Sequence, residues 1–164
     1  MIRNSQTTEA TQPFDDCQQL ISGNETKIKL AAEISLKYLK KTPDNLYVNI
    51  TKNCQEFLST HNYVTEPLSI AERDFPLAFS ISMYKDVQQF ERLLRAIYRP
   101  QNFYCVHVDL KANTDVRKGV EAVTSCFDNV FTTPDSLDVR WGNISVLEAE
   151  IVCMRHLLER KKWR

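Results

Sequence analysis

Ser82, Tyr84 and Asp109 stand where this chain would hold a ligand. Ser82, Met83 and Tyr84 close one short apolar run, and Asp109 closes the next. A carboxylate at such a point can accept hydrogen bonds from a ribose or a base, and charge-assisted bonds of that kind are the strong ones. Asp109 also has a plainer reading, as a turn residue at a strand end. No G-x-G-x-x-G lies between the two runs, so dinucleotide binding of the usual kind is not expected. Asp135 and Asp138 form a D-x-x-D pair in a loop-like stretch and read as solvated carboxylates rather than metal ligands. The five cysteines, at 17, 54, 105, 126 and 153, form no C-x-x-C, and His61, His107 and His156 are scattered. A zinc site is therefore not expected.

These residues need a scaffold, and residues 75–109 describe one. Leu77, Phe79, Ile81 and Met83 alternate with small or polar residues, the period of a strand. Asp86 can cap a helix whose inner face would be Val87, Phe90, Leu93, Leu94, Ile97 and Tyr98. Gln88, Gln89, Glu91, Arg92 and Arg95 would lie largely on the other face. Pro100 and Asn102 end it in a turn. Phe103 to Val108 is a second strand, rich in β-branched and aromatic residues. Strand, helix and strand of these lengths predict a right-handed βαβ unit with parallel strands. In open α/β sheets, ligands sit outside the carboxyl ends of the strands.

The rest extends this pattern. Residues 11–24 read as a linker or stem. Residues 25–41 read as a helix, with Ile28, Ala31, Ala32, Ser35, Tyr38 and Leu39 on one side and a solvated row of lysines opposite. Residues 53–60 are a short helix, and Ser69-Ile70-Ala71-Glu72 fits a capping box. Residues 115–126 form a further helix despite Gly119, residues 129–132 a third strand and residues 146–162 a last helix. With 21 basic and 21 acidic residues, nothing points to nucleic acid or an anionic membrane surface. The apolar runs are strand-sized, and the first ten residues hold no signal-peptide core. Three glycines are few for a complete α/β enzyme. Three sequons, at Asn24, Asn49 and Asn143, beside widely spaced cysteines favour an oxidising lumen; the alternative is a reduced cytosolic protein with buried thiols.

Several stretches resemble the β-1,6-N-acetylglucosaminyltransferases that make core 2 and I branches. They are Glu66-Pro67-Leu68-Ser69, Phe75-Pro76-Leu77-Ala78, the run Glu91 to Tyr98, and above all Pro100 to Asp109. Ser125-Cys126-Phe127 and Asn129-Val130-Phe131 fit as well, and the likeness covers most of residues 17–164. Trp141-Gly142-Asn143-Ile144-Ser145 is similar to a segment of the wider family that includes the peptide xylosyltransferases.

The resemblance implies an α/β fold: half of a nucleotide-binding, GT-A-like sheet of βαβ units, truncated at the C-terminus. Residues 1–24 would be stem, 25–74 the helical N-terminal segment of the catalytic domain, and 75–164 an incomplete donor-nucleotide-binding portion. It implies inverting transfer of N-acetylglucosamine from UDP-GlcNAc to a 6-hydroxyl of a glycan on a glycoprotein or glycolipid. It also implies a metal-independent reaction without cofactor, in a type II protein on the luminal side of the Golgi membrane, with its anchor outside this chain. The D-x-D of manganese-dependent transferases is absent. Uridine contacts carry over to Ser82, where Val is common, Tyr84, where His is common, and Asp109, which matches, with Trp141 nearby. Trp141 would stack on uracil or cover a ribose; the alternative is a core tryptophan. Disulfides are implied at Cys54–Cys126 and Cys105–Cys153, leaving Cys17 as the odd one of five. The catalytic base is expected beyond Arg164, since neither Glu148 nor Glu150 matches it, so the chain alone is expected to be inactive. Two other readings remain: a non-catalytic luminal binding module, and a peptide xylosyltransferase relative.

Overall fold

The computed structural model describes residues 17–38, 42–160 and 163. The chain divides into two units, residues 1–41 and 42–164. In the first, helix α1 (Cys17–Ile21) precedes helix α2 (Glu25–Tyr38). Gly23, at φ +81°, ends α1 with Gly23 N–H donating to the Leu20 carbonyl and Asn24 N–H to that of Gln19. This Schellman arrangement needs a left-handed residue, which glycine adopts without penalty. Part of the expected linker is thus helical from Cys17. Ile28 and Ala32, expected on an inward face of α2, are exposed. The expected ends of this helix at 39–41 and of the last helix at 161–162, and all of 1–16, lie outside the described residues.

The second unit opens with three short helices, α3 (Leu46–Ile50), α4 (Cys54–Thr60) and α5 (Ile70–Asp74). The Ser69 side chain caps α5 by accepting from Glu72 N–H at 3.1 Å. Glu72 returns the bond to Leu68 N–H, one residue earlier than a regular capping box would. There follow β1 (Ala78–Met83), α6 (Val87–Ile97), β2 (Phe103–Val108), α7 (Thr114–Thr124), β3 (Val130–Thr132) and α8 (Ser145–Glu159). The three strands are parallel in the order β1-β2-β3, with Ser82 opposite His107 and Met83 opposite Val108.

Alternation along β2 assigns the two faces. Tyr104, Val106 and Val108 join Val87, Phe90 and Leu94 of α6 and Val116, Val120 and Val123 of α7 in the main core. Cys105 faces the other way, with Cys153 and Leu157 of α8. Helices cover both faces of β2, which explains why its residues 104–108 are all buried, the polar His107 among them.

One side of α6 departs from expectation. Leu93 is exposed, whereas Glu91, expected on the solvent face, is only 2% exposed. Its carboxylate accepts from the Tyr63 hydroxyl at 3.3 Å and lies 3.1 Å from Arg95 Nε. A buried charge persists when it is paired and hydrogen-bonded. Burial, and then the Glu91 charge, push the Tyr63 hydroxyl well above its ordinary pKa.

Both implied disulfides are present. Cys54–Cys126 ties α4 to the end of α7, and Cys105–Cys153 ties β2 to α8. They close separations of 72 and 48 residues. On the chain-entropy account, loops of that size stabilise by about 4 kcal/mol each. Cys17 is exposed and belongs to neither.

Candidate functional site

Ser82 and Tyr84 lie at the carboxyl end of β1 and Asp109 at that of β2, while Trp141 lies in the loop between β3 and α8. Asp109 directly follows β2, and its N–H donates to the Met83 carbonyl at 2.9 Å, so the end of β1 fixes its place. The residue is buried. Its Oδ1 accepts from Lys111 N–H at 2.7 Å, and its Oδ2 accepts from Lys111 Nζ at 3.1 Å and Val139 N–H at 3.2 Å. An ionised carboxylate offers about four acceptor positions. Three are filled from within the chain, which leaves room for one further donor.

Those bonds make Asp109 the anchor of the loop between β3 and α8. Leu110 N–H donates to the Leu137 carbonyl at 2.9 Å, and Leu137 N–H donates to His107 Nε2 at 3.0 Å. Arg117 of α7 reaches the Asp109 carbonyl at 2.7 Å and the Ser136 hydroxyl at 3.1 Å. Lys111 Nζ bonds Asp138 Oδ1 at 2.6 Å and the Val139 carbonyl, and Arg140 takes the other Asp138 oxygen. Hydrogen bonding to Lys111 and Arg140 holds the Asp138 carboxyl below the usual carboxylate range; its bond to Asp138 holds Lys111 above its ordinary value. Asp135 lies 3.2 Å from His156 Nε2. The two loop carboxylates keep side chains 55% and 36% exposed, as solvated carboxylates should, and each also meets a side chain. Among the described residues no group of three or more His, Cys, Asp and Glu side chains could hold a metal ion.

Ser82 lies on β1 next to this anchor, but its hydroxyl donates to Glu150 Oε1 of α8 at 2.9 Å and not to Asp109. Tyr84 is half exposed just beyond β1, with Lys85 Nζ 5.3 Å from its ring centre. A cavity of about 270 Å³ opens beside them, lined by Ser82, Met83, Lys85, Asp86 and Gln89 among others. A second, of about 290 Å³, lies between the ends of β2 and β3, where Arg117, Thr132, Thr133 and Ser136 line it. Trp141 is 99% exposed, which overturns the reading as a core tryptophan. The carboxyl ends of β1 and β2 thus offer an acceptor carboxylate, a phenol and a hydroxyl, and the loop before α8 carries an open aromatic face.

Sequence reasoning gave no part in the site to Lys111, Val139, His107 or Glu150. Lys111, two residues past a strand-end aspartate, was the one visible signal. Val139 acts through its backbone, which no residue type announces.

A family model described as the core-2/I-branching enzyme matches residues 77–164, more than half of the chain, and takes in the sheet and every residue of the site. The chain belongs to the core-2/I-branching enzyme family. It is similar to proteins named β-1,3-galactosyl-O-glycosyl-glycoprotein β-1,6-N-acetylglucosaminyltransferase. The relative from bovine herpesvirus 4 strain LVR140 is 37% identical over 162 residues, 97% of this chain and 37% of the relative. The human relative is 39% identical over 147 residues, 87% of this chain and 34% of the relative. The Bos taurus relative, which carries the number 3 after that name, is 37% identical over 147 residues, 88% of this chain and 33% of the relative. The chain spans about a third of the length of these relatives. No helix among the described residues is long and apolar enough to cross a membrane.

Proposed function

We propose that this chain is the donor-binding portion of a β-1,6-N-acetylglucosaminyltransferase, holding the uridine diphosphate of UDP-GlcNAc at the carboxyl ends of β1 and β2. The observation that carries the reading is Asp109. It is a buried carboxylate at the end of the central strand, in a residue fixed by six backbone and side-chain hydrogen bonds, and the carboxylate is left with one acceptor position. In an open α/β sheet that is the position for a ligand, and a ribose hydroxyl or a base N–H would supply the missing donor. Ser82 on β1 and Tyr84 just beyond it would flank it, and the open face of Trp141 would stack on the base. The relatives' names support N-acetylglucosamine as the sugar and a 6-hydroxyl of an O-glycan as the acceptor.

The reaction would invert the anomeric centre without a metal. A general base would take the acceptor proton and cationic side chains would stabilise the diphosphate. The proposal gives neither task to a residue of this chain. Two disulfides and three sequons support an oxidising, luminal setting such as the Golgi.

A second reading, a luminal binding module without catalysis, draws on the same carboxylate, because three of its acceptor positions are already used internally. Calorimetry of UDP with the oxidised chain decides between them, with Asp109→Asn as the control that keeps one acceptor oxygen. Binding that weakens at least tenfold in Asp109→Asn supports the donor site. No binding by a chain whose circular dichroism shows it folded would overturn it and favour the module.

A further inference from the structure

His107 is fully buried on β2, two residues before Asp109 and opposite Ser82. The family resemblance gives it no task. Its Nε2 lies 3.0 Å from Leu137 N, and an amide N–H can only donate, so Nε2 must present its lone pair. The ring proton then resides on Nδ1, which meets no other residue's acceptor and only the backbone of His107 itself. A fully buried donor without a partner is costly. The Leu137 N–H thus fixes this tautomer although it leaves Nδ1 poorly satisfied.

The bond it makes belongs to a short ladder. Leu137 N–H goes to His107 and the Leu137 carbonyl accepts from Leu110; Val139 N–H goes to Asp109 and the Val139 carbonyl accepts from Lys111. The loop is thus tied along the end of β2: Thr133 N–H donates to the Val106 carbonyl, and His107 supplies the next rung, the first made by a side chain. We infer that His107 is a positioning residue for the donor site, its unprotonated Nε2 holding the loop of residues 133–140 so that Val139 and Asp138 meet Asp109 and Lys111. The inference rests on the donor reading of Asp109 given above.

The surroundings agree with a neutral ring. Burial pushes the His107 imidazole below its ordinary pKa, against the opposing pull of Asp109 at the end of its own strand and Glu150 on α8; the Arg117 guanidinium of α7 adds to the lowering. Protonation would set an N–H against the N–H of Leu137 and break the rung.

The test compares His107→Gln, whose amide oxygen can take the place of Nε2, with His107→Phe, which fills the space without an acceptor. Nitrogen NMR of histidine-labelled native chain should show Nε2 unprotonated and the proton on Nδ1. Amide exchange at Leu137 and Val139 should quicken about tenfold or more in His107→Phe, while amides of Val106 and Val120 keep their protection. The factor is that expected for one lost hydrogen bond of ordinary strength. UDP affinity should fall by a similar factor in His107→Phe and stay within about threefold of native in His107→Gln. A proton on Nε2, or unchanged exchange at Leu137 and Val139 in His107→Phe, would overturn the inference. So would faster loop exchange with undiminished UDP affinity. A native chain that binds no UDP would overturn the donor reading and the donor part of this inference together; loop exchange would still decide whether His107 clamps the loop.

Discussion

Lys111 closes a ring with Asp109: its backbone N–H takes one carboxylate oxygen at 2.7 Å and its ammonium takes the other at 3.1 Å. The ammonium goes on to Asp138, so the residue that satisfies Asp109 also draws in the β3–α8 loop. Removing the carboxylate would leave Val139 N–H and Lys111 N–H without their acceptor in a part-buried site. Asp109→Ala is expected to lower unfolding stability by about 2–3 kcal/mol, the range for hydrogen bonds to a charged group, and Asp109→Asn by less. Urea midpoints at constant slope measure both. Equal midpoints for Asp109→Ala and the native chain would show that Asp109 anchors nothing.

The neutral state of His107 sets a pH dependence of defined sign. Its folded-state pKa lies below the ordinary value of 6.5. Between those two values the unfolded chain binds the extra proton and the folded chain does not, so stability rises with pH across that window. The contribution is fully present above about pH 6.5 and is lost as pH falls from there toward the folded-state value. Thermal unfolding at pH 7.5 and at pH 5 is expected to show a lower midpoint at pH 5, with a smaller gap in His107→Gln, which cannot titrate. An equal gap in that variant would place the pH dependence on other groups.

The sequence displayed β2 to its last residue because a strand covered by helices on both faces is rich in β-branched and aromatic residues throughout. The Asp86 cap of α6 was equally plain: the side chain accepts from Gln89 N–H at 3.0 Å, as an aspartate before an apolar helical period should. Glu91 was hidden. Periodicity treats a charged residue as outward, while its burial depends on Tyr63, 28 positions away. The strand-end placement of Ser82 and Asp109 followed from alternation. The loop at 133–140 did not, because its course is set by backbone bonds to His107 and Asp109. Disulfide pairing came from the family likeness, since spacing alone leaves every pairing of five cysteines open.

Gly119 looked like a blemish in α7 and is a contact. A Cβ built there would stand 2.6 Å from the Asp44 carbonyl oxygen and 2.9 Å from a Val87 methyl. Helix propensity alone says that alanine would stabilise by up to about 1 kcal/mol. A carbonyl that is part of the backbone cannot move aside as a side-chain tip can, so overpacking at about 1–3 kcal/mol should win. Gly119→Ala is therefore expected to destabilise by about 1–2 kcal/mol in chemical denaturation. A gain in stability would mean that the segment around Asp44 yields without cost.

Trp141 separates structural from ligand roles because it is 99% exposed, next to Gly142 at φ +74°. A side chain in full contact with water contributes little to folding, so Trp141→Ala should change stability by less than about 0.5 kcal/mol. If the indole stacks on the donor base, the same variant should lose about 1 kcal/mol of UDP affinity, a fivefold rise in Kd. Trp163, whose indole N–H donates to the Leu157 carbonyl at 2.7 Å, supplies an internal reference for fluorescence. In the native chain, UDP should quench the water-exposed component of emission. In Trp141→Ala, that component should be missing and the Trp163 signal should not respond to UDP. Unchanged affinity with stability intact would remove Trp141 from the donor site and leave Asp109, Ser82 and Tyr84 to form it.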